Sequence, residues 1–159
     1  MREGYFISEL RRVFLSRGCF FHKIPDSIAT SGSRFSTLKK FDAFIIYKGM
    51  FAGIECKLVK GASIAIDRFR NSQIDSFADL RAAGAPGYFL INHRYKAKNN
   101  VIVWTLDDFI IARTIAKGVG RKSINLTIGG WPTLVKSHGW NVDPLFQMMN
   151  HYYGGINAS

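Results

Sequence analysis

Apolar residues recur at helical spacing over residues 3–17, where Phe6, Leu10, Val13 and Phe14 form one stripe and Gly18 follows as a stop. Residues 19–24 (CFFHKI) read as a strand, and residues 25–40 form a polar loop containing Gly and Ser, long enough to suggest a functional role. Two apolar runs follow, at 41–47 (FDAFIIY) and 50–58 (MFAGIECKL), joined by Lys48 and Gly49 in a hairpin pattern. Residues 67–83 predict a second helix, with Asp67 as N-cap and Gly84 just past its end. Strands are expected at 87–92 and 101–104, separated by a basic turn from His93 to Asn100. Thr105 and Asp108 have capping-box spacing and open a helix reaching about Lys117. A short strand at 123–128 and a short helix from Pro144 to about Tyr153 complete the chain. This mixture predicts an α/β fold with a mixed central sheet flanked by helices. No repeat or linker divides it, so one domain is expected, with a core over about 3–117 and a C-terminal extension over 118–159.

The hairpin carries the chemistry. With Lys48 and Gly49 as its loop, Tyr47 faces Met50 and Ile46 faces Phe51, and the same register brings Asp42 opposite Glu55. Directly opposed residues share one face, with Cβ atoms roughly 4.5–5.5 Å apart. Side chains alternate along a strand, so Lys57 joins that face. Phe41, Phe44, Ile45, Ile46, Phe51 and Ile54 make both faces of the hairpin apolar, as in central strands. Two opposed carboxylates repel, and a divalent cation removes the conflict. Hard oxygen ligands completed by water and phosphate oxygens suit Mg²⁺, with Mn²⁺ able to substitute. A metal, a lysine and a phosphate together suit phosphodiester hydrolysis. The competing structural reading is that Asp42 starts a strand and Glu55–Lys57 is a surface pair. On the second helix Phe69, Gln73, Ser76, Phe77 and Leu80 form one stripe, so Gln73 points inward, as a site residue or as a buried amide bonded to backbone.

Composition narrows the partners. The chain has 159 residues, with 22 Lys and Arg against 11 Asp and Glu, for a net charge of +11. A hydrophobic fraction of 47% with 14% aromatics excludes a disordered basic tail and leaves a core-forming domain whose first-choice partner is a polyanion. No apolar run reaches the roughly 18 residues of a membrane span, and the N-terminus lacks a signal-peptide pattern. Cys19 and Cys56 lack metal-ligand spacing and read as reduced, buried thiols, consistent with a cytoplasmic setting. Neither a membrane nor a small-molecule cofactor is expected.

Asp42 followed by Glu55, Cys56 and Lys57 resembles the PD-(D/E)xK nuclease motif. "KKFD" at 39–42 and "IECK" at 54–57 are similar to the archaeal (Hjc-like) Holliday junction resolvases. The segment from Gly18 to Pro25 resembles that family and the RecU-type resolvases, and "FRNSQI" at 69–74 resembles the RecU-side helix. The resemblance covers about residues 3–92 and implies a restriction-endonuclease-like core. It implies that Asp42 and Glu55 ligate the metal, that the Cys56 carbonyl adds a ligand, that Lys57 is the catalytic lysine and that Gln73 faces the site. The family also places a Glu on the first helix. Here the aligned position is Ile7, bracketed by Glu3 and Glu9. Glu9 lies one turn from Phe6 and Val13 and is the preferred choice. Glu3, otherwise a helix N-terminal acid, and Asp26, otherwise a turn residue, are the alternatives.

Basic residues surround these positions. Arg34, Lys39 and Lys40 precede Asp42, with Ser33 among the loop hydroxyls, while Lys60, Arg68 and Arg70 follow Lys57. Together they suit phosphate-backbone binding without base readout. Arg94, Lys96 and Lys98 form a second basic turn. The resemblance implies a homodimer that resolves four-way junctions by paired symmetric nicks leaving 5′-phosphate and 3′-hydroxyl ends. Rival readings are a related nuclease with another DNA substrate, as in a repair nickase or restriction-type enzyme, and an inactive DNA-binding recombination protein.

Overall fold

A computed structural model describes residues 2–25 and 40–157. Helix α1 (Glu3–Ser16) leads into strand β1 (Phe20–Lys23), with Gly18 in the left-handed region at φ 72° between them. Strands β2 (Ala43–Tyr47) and β3 (Met50–Val59) form the expected hairpin. Lys48 and Gly49 both have positive φ, 50° and 80°, as a two-residue type I′ turn requires. The register is the one the sequence predicts, from Tyr47 opposite Met50 to Ala43 opposite Ile54.

Beyond β3 come a short strand β4 (Ser63–Ala65), a 3₁₀ turn (Ile66–Arg68) and helix α2 (Asn71–Ala82). The expected helix from 67 is therefore corrected: Asp67 lies in the 3₁₀ turn, and Arg70 holds the N-cap position. The Arg70 backbone N–H donates to Gln73 Oε1 at 3.1 Å, so the helix start is closed from inside by Gln73. Strands β5 (Gly87–Tyr95) and β6 (Lys98–Thr105) are longer than predicted, because the basic turn is itself paired up to Tyr95 opposite Lys98. Helix α3 (Leu106–Gly118) starts with the expected capping box, in which Thr105 Oγ1 accepts from the Asp108 N–H at 3.1 Å and Asp108 Oδ2 accepts from the Thr105 N–H at 2.8 Å. Strands β7 (Ser123–Asn125) and β8 (Thr133–Val135) and helix α4 (Asp143–Asn157) follow. β4 and β8, three residues each, had no readable sequence pattern.

The large sheet has the order β1-β2-β3-β5-β6-β8, with β3 and β5 parallel and its other pairs antiparallel. β4 and β7 form a separate two-stranded ribbon. This is the mixed α/β architecture expected from the pattern. One core lies between the sheet and α1 with α4, and includes Phe6, Leu10, Phe14, Ile45, Ile54, Leu90, Leu145 and Met149. The other lies between the opposite face and α2 with α3, and includes Phe69, Phe77, Phe89, Ile91, Trp104 and Phe109. Residues after 118 complete both cores: Leu134, Val142, Leu145, Phe146 and Met149 join the first, Ile124 and Leu126 the second.

Two glycines decide how closely α2 sits. Gly53 and Gly87 are direct partners across β3 and β5. A Cβ at Gly53 would lie 2.6 Å from Leu80 Cδ1, and one at Gly87 would lie 2.3 Å from Phe77 Cδ1. The bare backbone thus lets α2 settle on the sheet, and this depth brings its first turn onto Glu55 and Lys57. Among the described residues, no helix is long and apolar enough to cross a membrane.

Candidate metal centre and acidic cleft

The β2–β3 ladder stops at Ala43 and Ile54, and just beyond it the chains diverge around Asp42. The Asp42 N–H still donates to the Ile54 carbonyl at 3.0 Å, and its carboxylate Oδ2 accepts from the Cys56 N–H at 2.8 Å. A side chain therefore replaces the next rung of the sheet and fixes Asp42 beside β3. The N–H and carbonyl of one strand residue point to the same edge, so the Cys56 carbonyl also opens toward Asp42. The Cys56 side chain faces the opposite way, into the core with α1, where burial pushes its thiol well up. Cys19 is also a buried free thiol.

Glu55 and Lys57 share the other face of β3, as strand alternation requires. Both are buried, and their ion pair measures 2.7 Å from Nζ to Oε1. Gln73 closes a triangle: its Nε2 donates to Glu55 Oε1 at 2.5 Å, and its Oε1 accepts from Lys57 Nζ at 3.2 Å. Of the two readings of Gln73 in the sequence, the structure joins them, because the same amide caps α2 and holds the acid–lysine pair. Glu55 Oε2 is buried and has no hydrogen-bond partner among the described residues.

The third carboxylate comes from α1, and it is Glu3. One oxygen from each of Glu3, Asp42 and Glu55 lies within 4.8 Å of the others. Arg68 anchors Glu3 there, with Nη2 3.3 Å from Glu3 Oε2, while Arg68 Nη1 donates to the Leu58 carbonyl at 2.8 Å. The preference for Glu9 is corrected. Its carboxylate accepts from Lys136 Nζ at 2.6 Å and from Trp140 Nε1 at 3.3 Å, on the C-terminal part of the chain. Glu3 is one turn ahead of both Phe6 and Ile7, which face the core, so it continues the buried stripe of α1. Glu9 follows Phe6 by three residues and lies on the flank that Trp140 covers. The available signal was the alignment of Glu3 with Ile7, Leu10 and Phe14 at spacings of four, three and four. Asp26 lies outside the described residues.

Burial and neighbouring like charge raise two of the three carboxyls. Burial, then the Asp42 charge, push the Glu55 carboxyl up to about 7 against the opposing pull of Lys57. Burial also raises Glu3, with Lys57 opposing. The donor set fits a hard divalent cation: three carboxylates converge, and the buried Glu55 Oε2 lacks a partner among the described residues. Glu3, Asp42, Glu55, Lys57, Asp67, Arg68, Arg70 and Gln73 line a cleft of about 420 Å³.

Of the expected phosphate-binding residues, Arg68 and Arg70 are on the cleft wall. Lys60 is exposed at the end of β3, and Lys40 is exposed two residues before Asp42. Arg34, Ser33 and Lys39 lie outside the described residues. Sequence reading missed Asp67 on the cleft wall and the glycine pair beneath α2.

No family model matches the sequence. No curated protein matches it either. In structure, the chain is similar to Archaeoglobus fulgidus Hjc, a Holliday junction resolvase from an archaeal hyperthermophile. That likeness has 13% identity and a TM-score of 0.47, and it covers 65% of this chain and 77% of that chain.

Proposed function

We propose that the protein is a Mg²⁺-dependent DNA endonuclease that resolves four-way junctions, acting as a homodimer. The observation that carries the nuclease reading is the convergence of Glu3, Asp42 and Glu55 within 4.8 Å beside Lys57, with Glu55 Oε2 unpartnered among the described residues. The junction and the dimer rest on the sequence motif. In this reading Glu3, Asp42, Glu55 and the Cys56 carbonyl hold Mg²⁺ or Mn²⁺. The bound ion supplies charge neutralisation at the phosphate and acidifies a water for in-line attack.

The chain's own residues supply orientation. Lys57 Nζ uses two donors on Glu55 and Gln73 and keeps one for the water or the scissile phosphate. Gln73 holds both Lys57 and Glu55 in place through its amide. Arg70 and Lys40, both exposed, receive flanking phosphates. Arg68 holds Glu3 and contributes positive charge to the same wall.

The test is incubation of the protein with a four-way junction, linear duplex, a fork and single strands, with Mg²⁺ or with EDTA. Paired symmetric nicks on the junction in Mg²⁺ support the reading. Cutting of linear duplex at equal rate would leave the nuclease and remove the junction. Binding without cutting in Mg²⁺ and in Mn²⁺ would remove the nuclease.

A further inference from the structure

A second cavity, of about 390 Å³, lies outside the acidic cleft and includes His93, Tyr95, Lys96, Lys98, Asn100 and Trp131 in its wall. It forms between the β5–β6 hairpin and the loop that connects β7 to β8. Its size falls within the range that accepts a small ligand or a single nucleotide unit. Its chemistry is one-sided: among the described residues two lysines line it, and no Asp or Glu does. Both lysines are exposed, whereas His93 is buried with Nε2 2.9 Å from the Gly61 carbonyl. His93 and Tyr95 stack with ring centroids 6.0 Å apart, and Trp131 is half-buried.

Two wall residues also hold unmatched hydrogen-bonding atoms. Asn100 Oδ1, an acceptor, and Trp131 Nε1, a donor, are buried without a partner among the described residues. Both atoms lie beneath the cavity wall, so what the cavity presents is ring faces and cations. Exposed cations beside aromatic rings match a nucleotide, with its phosphates on the lysines and its base against the rings.

Position links this cavity to the cleft. Val59 is the strand partner of His93, and Lys57 is the partner of Ile91. Directly opposed side chains share a face, so His93 lies on the same sheet face as Lys57. It is two residues further along, an advance of roughly 6–7 Å. A strand crossing the acidic cleft would reach the cavity within a very few nucleotides.

We infer that this cavity takes an unpaired nucleotide of the DNA strand bound at the acidic cleft, with its base inside and its phosphates on Lys96 and Lys98. The inference rests on the DNA-nuclease reading and adds a preference for unstacked bases near the cut. A duplex with a short single-stranded gap is the probe. Its gap carries either thymidines or abasic residues, and binding is read by fluorescence anisotropy in EDTA, where no cutting occurs.

The wild-type protein is expected to bind the thymidine-gapped duplex about tenfold more tightly than the abasic one, the size of one base–aromatic stack. Ala62→Trp, which fills the cavity from its wall, is expected to erase that preference. The double variant Lys96→Ala/Lys98→Ala is expected to weaken both duplexes alike. As a second readout on unmutated protein, the Trp131 indole N–H resonance is expected to shift with the thymidine gap and not with the abasic one. Equal affinity for the two duplexes, or a base preference that survives in Ala62→Trp, overturns the inference. An unshifted Trp131 resonance also overturns it. Junction cutting in Mg²⁺, measured separately, distinguishes the failures: cutting without base preference defeats only the cavity, and base preference without cutting defeats only the nuclease.

Discussion

Helix α1 contributes one glutamate to each of two charged clusters, and the contrast between them separates a self-contained ion pair from a candidate metal site. Lys136 and Glu9 approach to 2.6 Å, and Lys57 and Glu55 to 2.7 Å, so distance does not tell them apart. Their surroundings do. Glu9 has one oxygen on Lys136 and the other on Trp140 Nε1, so both acceptors are used. Lys136 also lies 5.2 Å from the Trp140 ring centroid. Glu55 directs a single oxygen to both Lys57 and Gln73 and leaves the other buried and unmatched beside Asp42 and Glu3. The first cluster is complete in itself. The second gathers three carboxylates and leaves one buried acceptor without a partner among the described residues, a donor set that suits a hard cation.

The largest effect that would break this comparison is on cutting. Asp42→Asn is expected to lower junction cleavage in Mg²⁺ by about 10²–10³-fold while anisotropy still detects DNA binding. Glu9→Gln is expected to change the cleavage rate by less than about twofold. If the two substitutions proved equally damaging, the assignment of Glu3 over Glu9 would fail.

Metal addition is the next effect. At Mg²⁺ one hundred times its dissociation constant, ligand linkage stabilises the native state by about 2.7 kcal/mol, or several degrees of Tm. Differential scanning fluorimetry should show this rise in the wild type and in Glu9→Gln, and its loss in Glu55→Gln. A rise of equal size in all three would place the cation elsewhere.

Of similar or smaller size is the pH dependence of the metal-free protein. The Glu55 carboxyl is raised from 4.5 to about 7, so between these values the folded protein holds a proton the unfolded chain has released. Its contribution to stability is therefore present below about 4.5 and is lost as pH rises through about 7, with an upper bound of about 3 kcal/mol. Urea unfolding in EDTA from pH 4.5 to 8 should show this decline, flattened in Glu55→Gln. An identical slope in that variant would assign the titration to another group.

The smallest effect belongs to the complete pair. Lys136→Ala is expected to cost no more than about 1 kcal/mol, since Lys136 is partly exposed. A loss above about 3 kcal/mol in urea unfolding would show that this pair is more than a local tie between α1 and the C-terminal segment.

Much of the acidic site was legible because it is local. The Lys48–Gly49 turn sets the hairpin register and strand alternation puts Glu55 and Lys57 on one face, while Asp42, expected directly opposite Glu55, instead lies just past the last pair and takes the Cys56 N–H. The inward direction of Gln73 follows from helical spacing alone. The start of α2 was misread at Asp67 because a polar residue before a periodic stretch resembles a cap, while the true closure uses a Gln side chain reaching back. The short strands β4 and β8 were not legible, since three residues are too few to display alternation.

The amino-acid sequence by itself determined the α/β mixture, the hairpin register and the pairing of two carboxylates with a lysine. These depend on periods of 2 and 3.6 and on one turn, all properties of neighbouring residues. Tertiary structure alone decided that Glu3 and not Glu9 meets them, because the rotation of α1 about its axis is set by how Phe6, Leu10 and Phe14 pack on the sheet. It alone decided the depth of α2 on Gly53 and Gly87, and it alone joined the β5–β6 hairpin to a distant loop around the second cavity. Those placements come from packing between segments far apart in the chain, and no local pattern records which segments will meet.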